Sequence, residues 1–406
     1  MDIVPAALTS FSVVAVAFTE IILQFSGTIL TLIMETPTPN PHPTWLEIDL
    51  SAVRHNTKAV LQRTRVDLMA VVKCDAYGFG AVEVAKAELA AGASQLAVAR
   101  FAEGLALRKE NISAPILVFG YCTPEETDFA PYLNLSLTIH NADSLEAVIN
   151  RTRGHENPAH VHVKVDTGFG RLGFTPADIP TVFEVLAKAT NVVVDGLYSH
   201  LAFADEVPDH PVTRQQITAF NDVVQTLNNL GQCPPWLHLA NSAAAWGIPE
   251  SRFNLTRVGT ALLGMKPFYF QPLPTELERV LAWKCRLASC KQFPAGTGIS
   301  YGHTYHTSPN EWIGTLPVGY GDGFRRNQEN LVLIDGKRAK VVGRVCNDMC
   351  MVSLPEPYPV GTEVTLIGTQ RNESILTDEL IDRWHTSQAD ITCGINARVP
   401  RLYFNC

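Results

Sequence analysis

Short apolar runs alternate with longer helix-like segments from Trp45 to about Arg279. Runs such as LMAVV and VVVDGLY are short and contain β-branched residues, which is typical of buried strands, whereas AVEVAKAELAAG repeats its apolar residues with the spacing of a helix. Eight strand-then-helix units can be counted between TWLEIDL and AAAWGIPESR. So many consecutive units predict a (β/α)8 barrel, because a doubly wound sheet rarely runs so long without interruption.

The pattern changes after Arg279, where alternating or apolar runs are separated by turns that contain glycine. LAWKCRLASC, NLVLIDGKRAKVV and GTEVTLIG are typical of strands joined by tight turns, and the helical segment TDELIDRWHTS interrupts them. The chain length also favours two or more domains, since single cores stop growing near ~250–300 residues. We therefore predict a barrel over residues 45–279 and a mostly β C-terminal domain over residues 280–406.

Residues 1–44 are predicted to be an N-terminal extension outside both domains. Positions 1–33 are apolar but carry Glu20, and no lysine or arginine precedes Arg54, so the basic region of a secretory signal is missing. A membrane-spanning helix would place Glu20 near its centre, at a cost of about 2.5–3.5 kcal/mol. Met34, followed by the proline-rich ETPTPNPHPT, resembles a natural start. We favour an over-extended start or a disordered extension, and a membrane anchor or a targeting segment is the alternative.

Charge and composition limit the classes of partner. A net charge of -8 and a pI near 5.8 argue against nucleic acid and anionic membranes, which select for basic patches, so a small-molecule substrate is expected. The nine cysteines include no C-x-x-C pair, which suits free thiols in a reducing cytoplasm. No metal is predicted, because the twelve histidines show no H-x-x-x-H spacing and Cys346 with Cys350 lacks partners at ligand spacing.

Lys73 is the most informative single residue. It follows the apolar run LMAVV, and a turn that contains Gly78 and Gly80 comes directly after it. A lysine at the carboxyl end of a buried strand points into the site that this edge of the sheet builds. Burial there lowers the pKa of the amine, which can then attack an aldehyde cofactor. The alternative is a lysine that extends from the strand end into solvent.

Other polar residues also fall at the ends of predicted strands. Lys164 with Arg171, His200 and Ser242 all follow strand-like runs, so one face of the barrel is expected to gather them. The segment around Ser242 and the RVGT segment at 257–260 offer backbone N–H groups to an anion. A capped strand-to-helix turn would give the same pattern without any ligand.

The lysine segment VVKCDAYGFG closely resembles the pyridoxal-phosphate lysine segment of the alanine racemases, which usually reads VVKADAYGHG. Cys74 and Phe79 are the departures. The family also has the same order of barrel and β domain, and the resemblance extends from Trp45 to Phe404. It implies an isomerase that uses pyridoxal 5'-phosphate to interconvert L- and D-alanine by a two-base mechanism, supplying D-alanine for peptidoglycan.

The resemblance assigns the cofactor contacts residue by residue. Lys73 would carry the cofactor and act as one base, and Arg257 would donate a hydrogen bond to the pyridine nitrogen. Because an arginine keeps its proton, the ring would stay a modest electron sink. The remaining cofactor-binding positions are Tyr77, His200, Asn241, Ser242, Gly259 and Thr260.

The resemblance also supplies a second base for the opposite face of the α-carbon. Tyr301, in GISYGHTY, matches the tyrosine base of the family. A phenol needs help to ionise near neutral pH, and the resemblance implies a hydrogen-bonded chain from Tyr301 through His200 to Arg257. In the family this tyrosine reaches the cofactor from the other subunit. A homodimer with shared active sites is therefore implied.

The substrate-binding and supporting positions come from further motifs. In KVDTGFGRLGF, Arg171 matches the residue that contacts the substrate carboxylate, and Lys164 matches a lysine that is often carbamylated in this family. An ordinary ion pair between Lys164 and Asp166 is the alternative. The remaining positions are Asn347, which would help to hold the substrate carboxylate, and the supporting residues Tyr320, Asp322 and Asp348.

Two departures from the family pattern bear on the choice of substrate. Asn347 replaces a methionine, and Ala397 stands where the alanine enzymes often have a tyrosine that crowds the substrate side chain. The lost ring opens space, so serine, or a mixed preference for alanine and serine, is the alternative substrate. A non-catalytic pyridoxal-phosphate-binding barrel would lack the β domain and Tyr301. Decarboxylases of related architecture favour a carboxylate where this chain has Arg257.

Overall fold

A computed structural model of the protein describes residues 40–207 and 209–405. Most of the N-terminal extension predicted over residues 1–44 lies outside the described residues. Within the described ranges, no helix combines the length and the apolar character needed to cross a membrane.

Strands and helices alternate along the first part of the described chain, and strands predominate after residue 258. The bounds of all these elements follow. The strands are β1 Thr44–Asp49, β2 Asp67–Val71, β3 Gln95–Val98, β4 Ile116–Val118, β5 Leu135–Ile139, β6 Ala159–Lys164, β7 Val192–Tyr198, β8 Trp236–His238, β9 Leu255–Val258, β10 Leu281–Arg286, β11 Ser289–Phe293, β12 Gly298–Ile299, β13 Tyr305–His306, β14 Glu311–Leu316, β15 Leu331–Ile334, β16 Lys337–Val342, β17 Cys350–Leu354, β18 Glu363–Gln370, β19 Glu373–Ile375 and β20 Arg401–Phe404. The helices are α1 Leu50–Thr64, α2 Ala81–Ala90, α3 Phe101–Lys109, α4 Pro124–Phe129, α5 Ala142–Arg151, α6 Ile179–Leu186, α7 Pro211–Asn229, α8 Ser242–Gly247, α9 Thr377–Trp384 and α10 Gln388–Cys393.

Strands β2 to β9 form an eight-stranded parallel sheet in the order β8-β7-β6-β5-β4-β3-β2-β9. Hydrogen bonds from Leu237 N to Asn254 Oδ1 (2.8 Å) and from Arg257 N to Ala240 O (3.1 Å) join the segments at its two ends, so the barrel is nearly closed. Strands β3 and β4 are buried along their whole length, as expected where both faces of a sheet are covered. The predicted (β/α)8 barrel is confirmed.

The prediction that the run TWLEIDL forms a barrel strand is wrong. This run is β1, which lies in the other sheet between β10 and β20. The eighth barrel strand is β9, which we predicted only as part of an anion-binding segment. The physical difference is that β1 carries polar residues between its apolar ones, and Glu47 forms an ion pair with Lys284 of β10 at 2.9 Å. A barrel strand such as β4 is instead apolar and buried along its whole length.

The C-terminal domain is built on a ten-stranded sheet with the order β11-β14-β17-β16-β15-β18-β10-β1-β20, and β19 pairs with β18. Except for the parallel β1–β20 pair, its strand pairs are antiparallel. Its core includes Trp283, Phe324 and Trp384, whose rings pack edge to face with centroids 6.0 and 6.1 Å apart. The predicted mostly β domain is confirmed.

The end of this β domain packs on the turn that follows β2. Arg401 Nε donates to Gly78 O at 3.1 Å, and the Tyr403 hydroxyl donates to Phe79 O at 3.2 Å. A Cβ atom at Gly78 would stand 2.3 Å from Thr392 O, so the close approach requires glycine. The β domain therefore fixes the segment that carries the candidate cofactor lysine.

Candidate active site

A cavity of about 480 Å³ opens at the carboxyl ends of the barrel strands. Gln388 and Ala389 of α10 line part of its wall, so the β domain also contributes to it. The structure brings together here all the site residues that were predicted from the barrel: Lys73, Tyr77, Lys164, Arg171, His200, Asn241, Ser242, Arg257, Gly259 and Thr260.

The residues Lys73–Tyr77, which we call the lysine turn, form a single left-handed turn after β2. The four residues that follow the lysine have φ values between 50° and 55°. Such a conformation costs roughly 1–2 kcal/mol per residue, so the surrounding structure has to stabilise it. Glu103 Oε1 accepts a hydrogen bond from Cys74 N at 2.5 Å, and Asp75 Oδ1 accepts one from Ala81 N at 2.7 Å. These bonds fix the backbone from which the lysine side chain projects.

The environment of Lys73 favours its neutral amine. Burial is the main cause that lowers the pKa of Lys73, and the positive charge of Arg171 is the second. The Lys73 Nζ atom lies 5.8 Å from the centroid of the Tyr77 ring. A lysine in the cavity wall with a lowered pKa is the form that can act as a nucleophile or as a base.

Arg257 is buried and directs its N–H groups into the barrel. Nη1 donates to His238 O at 2.7 Å and lies 3.1 Å from His238 Nδ1. Nη2 donates to Ser199 O at 2.7 Å and to Leu239 O at 3.1 Å, and lies 3.2 Å from His200 Nδ1. Burial lowers the pKa of Arg257 to about 10, so the guanidinium remains protonated at neutral pH.

The donors of Arg257 determine the tautomers of two histidines. Because a guanidinium has no acceptor, His200 and His238 accept through Nδ1 and carry their proton on Nε2. Burial, followed by the charge of Arg257, holds the pKa of both far below its usual value, so both are neutral. His238 Nε2 then donates to His162 Nδ1 at 2.8 Å. Burial also lowers the pKa of His162 to about 4.

His162 and His238 were not predicted as site residues. The signal was present in the runs HVHVK and WLHLA, where each histidine alternates with apolar residues along a barrel strand. His162 and Lys164 are two positions apart in β6 and therefore share the face that points into the barrel. Tyr198 was also not predicted as a site residue. Its ring stacks on His238 with centroids 4.8 Å apart.

Lys164 is buried and close to two cations. Its pKa falls to about 7, mainly through burial and then through the charges of Arg257 and Arg171. Its Nζ lies 4.5 Å from the centroid of the Tyr198 ring. The Asp166 carboxylate accepts hydrogen bonds at 2.8 to 2.9 Å from three amides of the loop that follows it. Asp166 therefore shapes the loop that leads to Arg171.

A candidate anion cradle lies where β9 and α8 meet. Ser242 Oγ accepts hydrogen bonds from Gly259 N at 3.2 Å and from the Thr260 hydroxyl at 3.1 Å. Asn241 caps α8 through a hydrogen bond from Ala244 N to its Oδ1 at 3.0 Å. The hydroxyls and the backbone N–H of this cradle are donors of the kind that bind phosphate.

Gly259 is the position in the cradle where a side chain could not fit. A Cβ atom there would stand 2.8 Å from the Tyr77 ring and 2.9 Å from Val71 O. The glycine thus lets the Tyr77 side chain lie directly against the β9 backbone, beside the hydroxyls of the cradle.

The predicted residues of the β domain lie outside this cavity. Tyr301 is 68% exposed and borders a separate surface groove, and Tyr320 is 48% exposed. Asn347 Nδ2 donates to Asp348 Oδ1 at 2.7 Å. Within one chain, the structure does not bring these side chains to the barrel residues.

Arg398 connects two of the predicted acidic residues, although it was not predicted itself. Its Nε donates to Asp322 Oδ1 at 2.7 Å, and its Nη1 lies 2.9 Å from Asp348 Oδ1. Asp322 is buried and also accepts from Gly319 N at 2.8 Å. The pair of acidic residues thus holds two loops of the β domain together.

Comparisons with known proteins agree along nearly the whole chain. The profile of the alanine racemase N-terminal domain matches residues 48–267, and that of the alanine racemase C-terminal domain matches residues 280–403. The chain belongs to the alanine racemase family. Alanine racemase of Halalkalibacterium halodurans is 42% identical over 370 residues, which cover 89% of this chain and 95% of that protein. For alanine racemase of Symbiobacterium thermophilum the identity is 43% over 366 residues, with 89% and 97% covered.

Solved structures of the family have the same fold. Alanine racemase from E.faecalis gives a TM-score of 0.85 at 36% identity and covers 89% of this chain and 98% of that one. The enzyme from Streptomyces coelicolor gives a TM-score of 0.86 at 35% identity, with 90% of this chain and 98% of that one covered.

Asn396 lies beside Ala397, the position where the predicted pocket is wider than in the family. The Asn396 side chain makes a local hydrogen bond, in which its Oδ1 accepts from Arg398 N at 3.0 Å.

Proposed function

We propose that this protein is a pyridoxal-phosphate-dependent racemase that interconverts L- and D-alanine in the cytoplasm and supplies D-alanine for peptidoglycan. The observation that carries the proposal is that one cavity is lined by Lys73, whose pKa is lowered, by Arg257, and by the hydroxyls of Ser242 and Thr260. The profile match over the C-terminal domain supports a racemase over a non-catalytic barrel protein, since the latter would lack that domain.

The cavity walls fit pyridoxal phosphate. When bound, this cofactor supplies an aldehyde that a lysine amine can trap and a ring that withdraws electrons from the α-carbon of the substrate. Lys73 would hold the aldehyde carbon, Ser242 and Gly259 would hold the phosphate, and Arg257 would donate to the ring nitrogen. Because residue 259 is a glycine, the Tyr77 hydroxyl can lie beside the other donors of the cradle, and this additional donor supports an anion there.

Racemisation requires one group to remove a proton from one face of the α-carbon and another to deliver a proton to the opposite face. We assign these roles to Lys73 and Tyr301. Since Tyr301 is exposed and does not line the cavity of its own chain, we propose a homodimer in which it closes the cavity of the partner. His200 would stabilise the phenolate, because Arg257 occupies its Nδ1 and leaves its Nε2–H to donate.

Arg171 is our assignment for the group that binds the substrate carboxylate, and Lys164 would position it. A pKa of about 7 leaves much of Lys164 neutral at physiological pH, and the neutral amine is the form that adds carbon dioxide. A carbamate is an anion, so it would attract the guanidinium of Arg171 where an ammonium would repel it.

Hybrid dimers test the shared cavity. Lys73→Ala and Tyr301→Phe should each be at least about 10²-fold less active than the wild type, because each removes one acid-base group. If the cavity is shared, a purified hybrid of the two variants has one intact cavity and should recover about half of the wild-type rate. The matched control pairs a wild-type chain with a chain that carries both substitutions, and it should have no intact cavity. Chiral chromatography of L-alanine after incubation measures each rate.

An inactive hybrid of the two single variants, together with an active control hybrid, would contradict the shared cavity. That result would place Lys73 and Tyr301 of each cavity in one protomer. Failure of the wild-type chain to racemise alanine would overturn the function itself. L-serine in the same assay tests the alternative that Ala397 suggests. If L-serine is racemised faster than L-alanine, serine replaces alanine as the proposed substrate.

A further inference from the structure

Two free thiols lie next to the candidate cofactor lysine. Cys74 is the second residue of the lysine turn and is exposed, and Cys393 is the last residue of α10 and is partly buried. Cys74 is one of the groups that raise the pKa of the Cys393 thiol, so the two thiols are neighbours. The barrel and the β domain therefore each contribute one thiol to a region that the proposed mechanism does not use.

Backbone packing holds the two segments that carry these cysteines against each other. Gly78 N donates to Cys74 O at 2.9 Å, so the lysine turn folds back on itself. A Cβ at Gly78 would stand 2.3 Å from Thr392 O and 3.4 Å from the Cα of Cys393, so the turn lies directly against the end of α10. Arg401 and Tyr403 hydrogen-bond to Gly78 O and Phe79 O, which restrains the chain directly after the lysine turn.

We propose that Cys74 and Cys393 form a reversible disulfide that ties the lysine turn to the β domain. The oxidant is a low-molecular-weight disulfide. The Cys74 thiolate attacks one of its sulfurs and releases one small thiol, and Cys393 then loses its proton and attacks Cys74 Sγ, releasing the second. The two protein thiols lose two electrons and two protons, and the small disulfide gains both.

The environments of the two thiols give them different roles. Cys74 is exposed in the loop region and meets the oxidant first. Burial, which is the main cause, raises the pKa of the Cys393 thiol to about 12, so it stays protonated and unreactive until a mixed disulfide on Cys74 lies beside it. Cys393 is thus the resolving thiol.

The disulfide also acts on the cavity. Lys73 directly precedes Cys74, and Gln388 and Ala389 in the same helix as Cys393 line the cavity wall. A disulfide between the lysine turn and α10 restrains the two segments that line the cavity, so it lowers the racemisation rate. The effect on rate rests on the proposed function, whereas formation of the bond does not.

Oxidation of the full-length holoenzyme by oxidised glutathione tests the proposal. Peptide mapping after alkylation should find Cys74 joined to Cys393, with two titratable thiols lost per chain. The racemisation rate should fall several-fold and recover with dithiothreitol. Cys74→Ala, which carries the residue usual in the family, should keep its rate under oxidation, and Cys393→Ser should stop at glutathione bound to Cys74. Cys233→Ser, a control distant in sequence, should behave as the wild type.

Glutathione that stays on Cys74 of the wild-type chain while Cys393 remains free would overturn the proposal. A cross-link that forms without changing the rate would overturn its effect on catalysis. A protein that does not racemise alanine before oxidation would count against the proposed function, and the mapped cross-link would still decide whether the disulfide forms.

Discussion

The barrel half of the candidate site is buried and connected, whereas the β-domain half is exposed and separate. Arg257 is 4% exposed and hydrogen-bonds to two histidines and several carbonyl groups, while Tyr301 is 68% exposed. A buried polar network has to be complete within its own chain, because an unpaired polar group there is costly. Exposed aromatic side chains are instead enriched where another protein binds. The difference suggests that one chain supplies the cofactor cavity and a second chain supplies the other base.

The exposure of Tyr301 does not mean that its loop is loosely built. Ser300 and Gly302 on either side have φ values of 64° and 70°, in the left-handed region. The Ser300 hydroxyl donates to Arg344 O at 2.6 Å, which ties the loop to the sheet domain. A strained and restrained loop that presents a tyrosine to solvent is consistent with a side chain positioned for a partner.

Lys73→Ala should have the largest effect, because it removes the group that would hold the cofactor and one of the two bases. Racemisation should fall by more than roughly 10⁴-fold, beyond the range for loss of a general base alone. Borohydride reduction of the wild-type holoenzyme followed by peptide mapping should find the pyridoxyl group on Lys73. A label on Lys164 or another lysine would contradict the assignment.

Tyr301→Phe should have the second largest effect, and it should separate the two halves of the site. The ring remains and only the hydroxyl is lost, so the rate should fall by roughly 10²–10⁴-fold while the cofactor stays bound. If Lys73 serves the D-enantiomer and Tyr301 the L-enantiomer, exchange of the α-hydrogen with solvent deuterium should survive better for D-alanine. Nuclear magnetic resonance of each enantiomer in deuterated buffer measures this exchange.

Equal loss of exchange for both enantiomers, with the cofactor retained, would count against bases on opposite faces. Full activity of Tyr301→Phe would remove this residue from the mechanism. Either result would break the distinction between a buried cofactor half and an exposed catalytic half.

Gly259→Ala should have a smaller effect that is confined to the barrel half. The new Cβ would stand 2.8 Å from the Tyr77 ring and 2.9 Å from Val71 O, and the backbone oxygen cannot move aside easily. Overpacking of this kind costs about 1–3 kcal/mol. If Tyr77 moves out of the cradle to relieve it, the lost phosphate contact should lower cofactor affinity, by roughly tenfold for each 1.4 kcal/mol. Absorbance titration of the apoprotein with pyridoxal phosphate measures it. Gly154→Ala, where a Cβ meets no neighbour, should leave the affinity unchanged.

The fold could be predicted from the sequence wherever the pattern of apolar residues differed between the two kinds of sheet. The repeated strand-then-helix units of the barrel and the alternating runs with glycine turns of the β domain led to the correct fold for each. The exception was β1, because its place before a helix outweighed the alternation of apolar and polar residues over positions 46–49. Chain order alone does not say which sheet a strand joins, since that depends on contacts distant in sequence.

The candidate site could be predicted only in part. Residues at strand ends were found because parallel strands in a barrel present their carboxyl ends on one face. His162 lies one layer below Lys164 on the same strand face, and strand ends alone do not reveal that layer. The position of Tyr301 outside the cavity of its own chain was expected only from the family resemblance, because the residues of the motif give the residue type and not the direction of its side chain.

Glu88 breaks the rule that buried polar groups of the barrel have partners. It lies on α2 and is 1% exposed, and neither carboxyl oxygen has a hydrogen-bond partner among the described residues. Burial raises the pKa of Glu88 well above its usual value, so the folded state holds a proton that the unfolded state releases. Stability from this group is therefore complete below the unfolded pKa near 4.5 and is lost as the pH rises through the raised folded pKa.

Glu88→Gln should remove this loss with little change in activity, the smallest effect predicted for the barrel. The amide cannot ionise, so the variant should gain stability relative to the wild type by about 1.4 kcal/mol per pH unit above the unfolded pKa, until the folded pKa is reached. Urea unfolding at several pH values from 5 to about 8 measures the difference. Glu83→Gln, on the same helix but in a partly exposed ion pair with Lys86, is the matched control. A stability difference between Glu88→Gln and the wild type that does not change with pH would contradict this account. It would mean that Glu88 has a partner or is ionised in the folded protein, as the rule for buried polar groups requires.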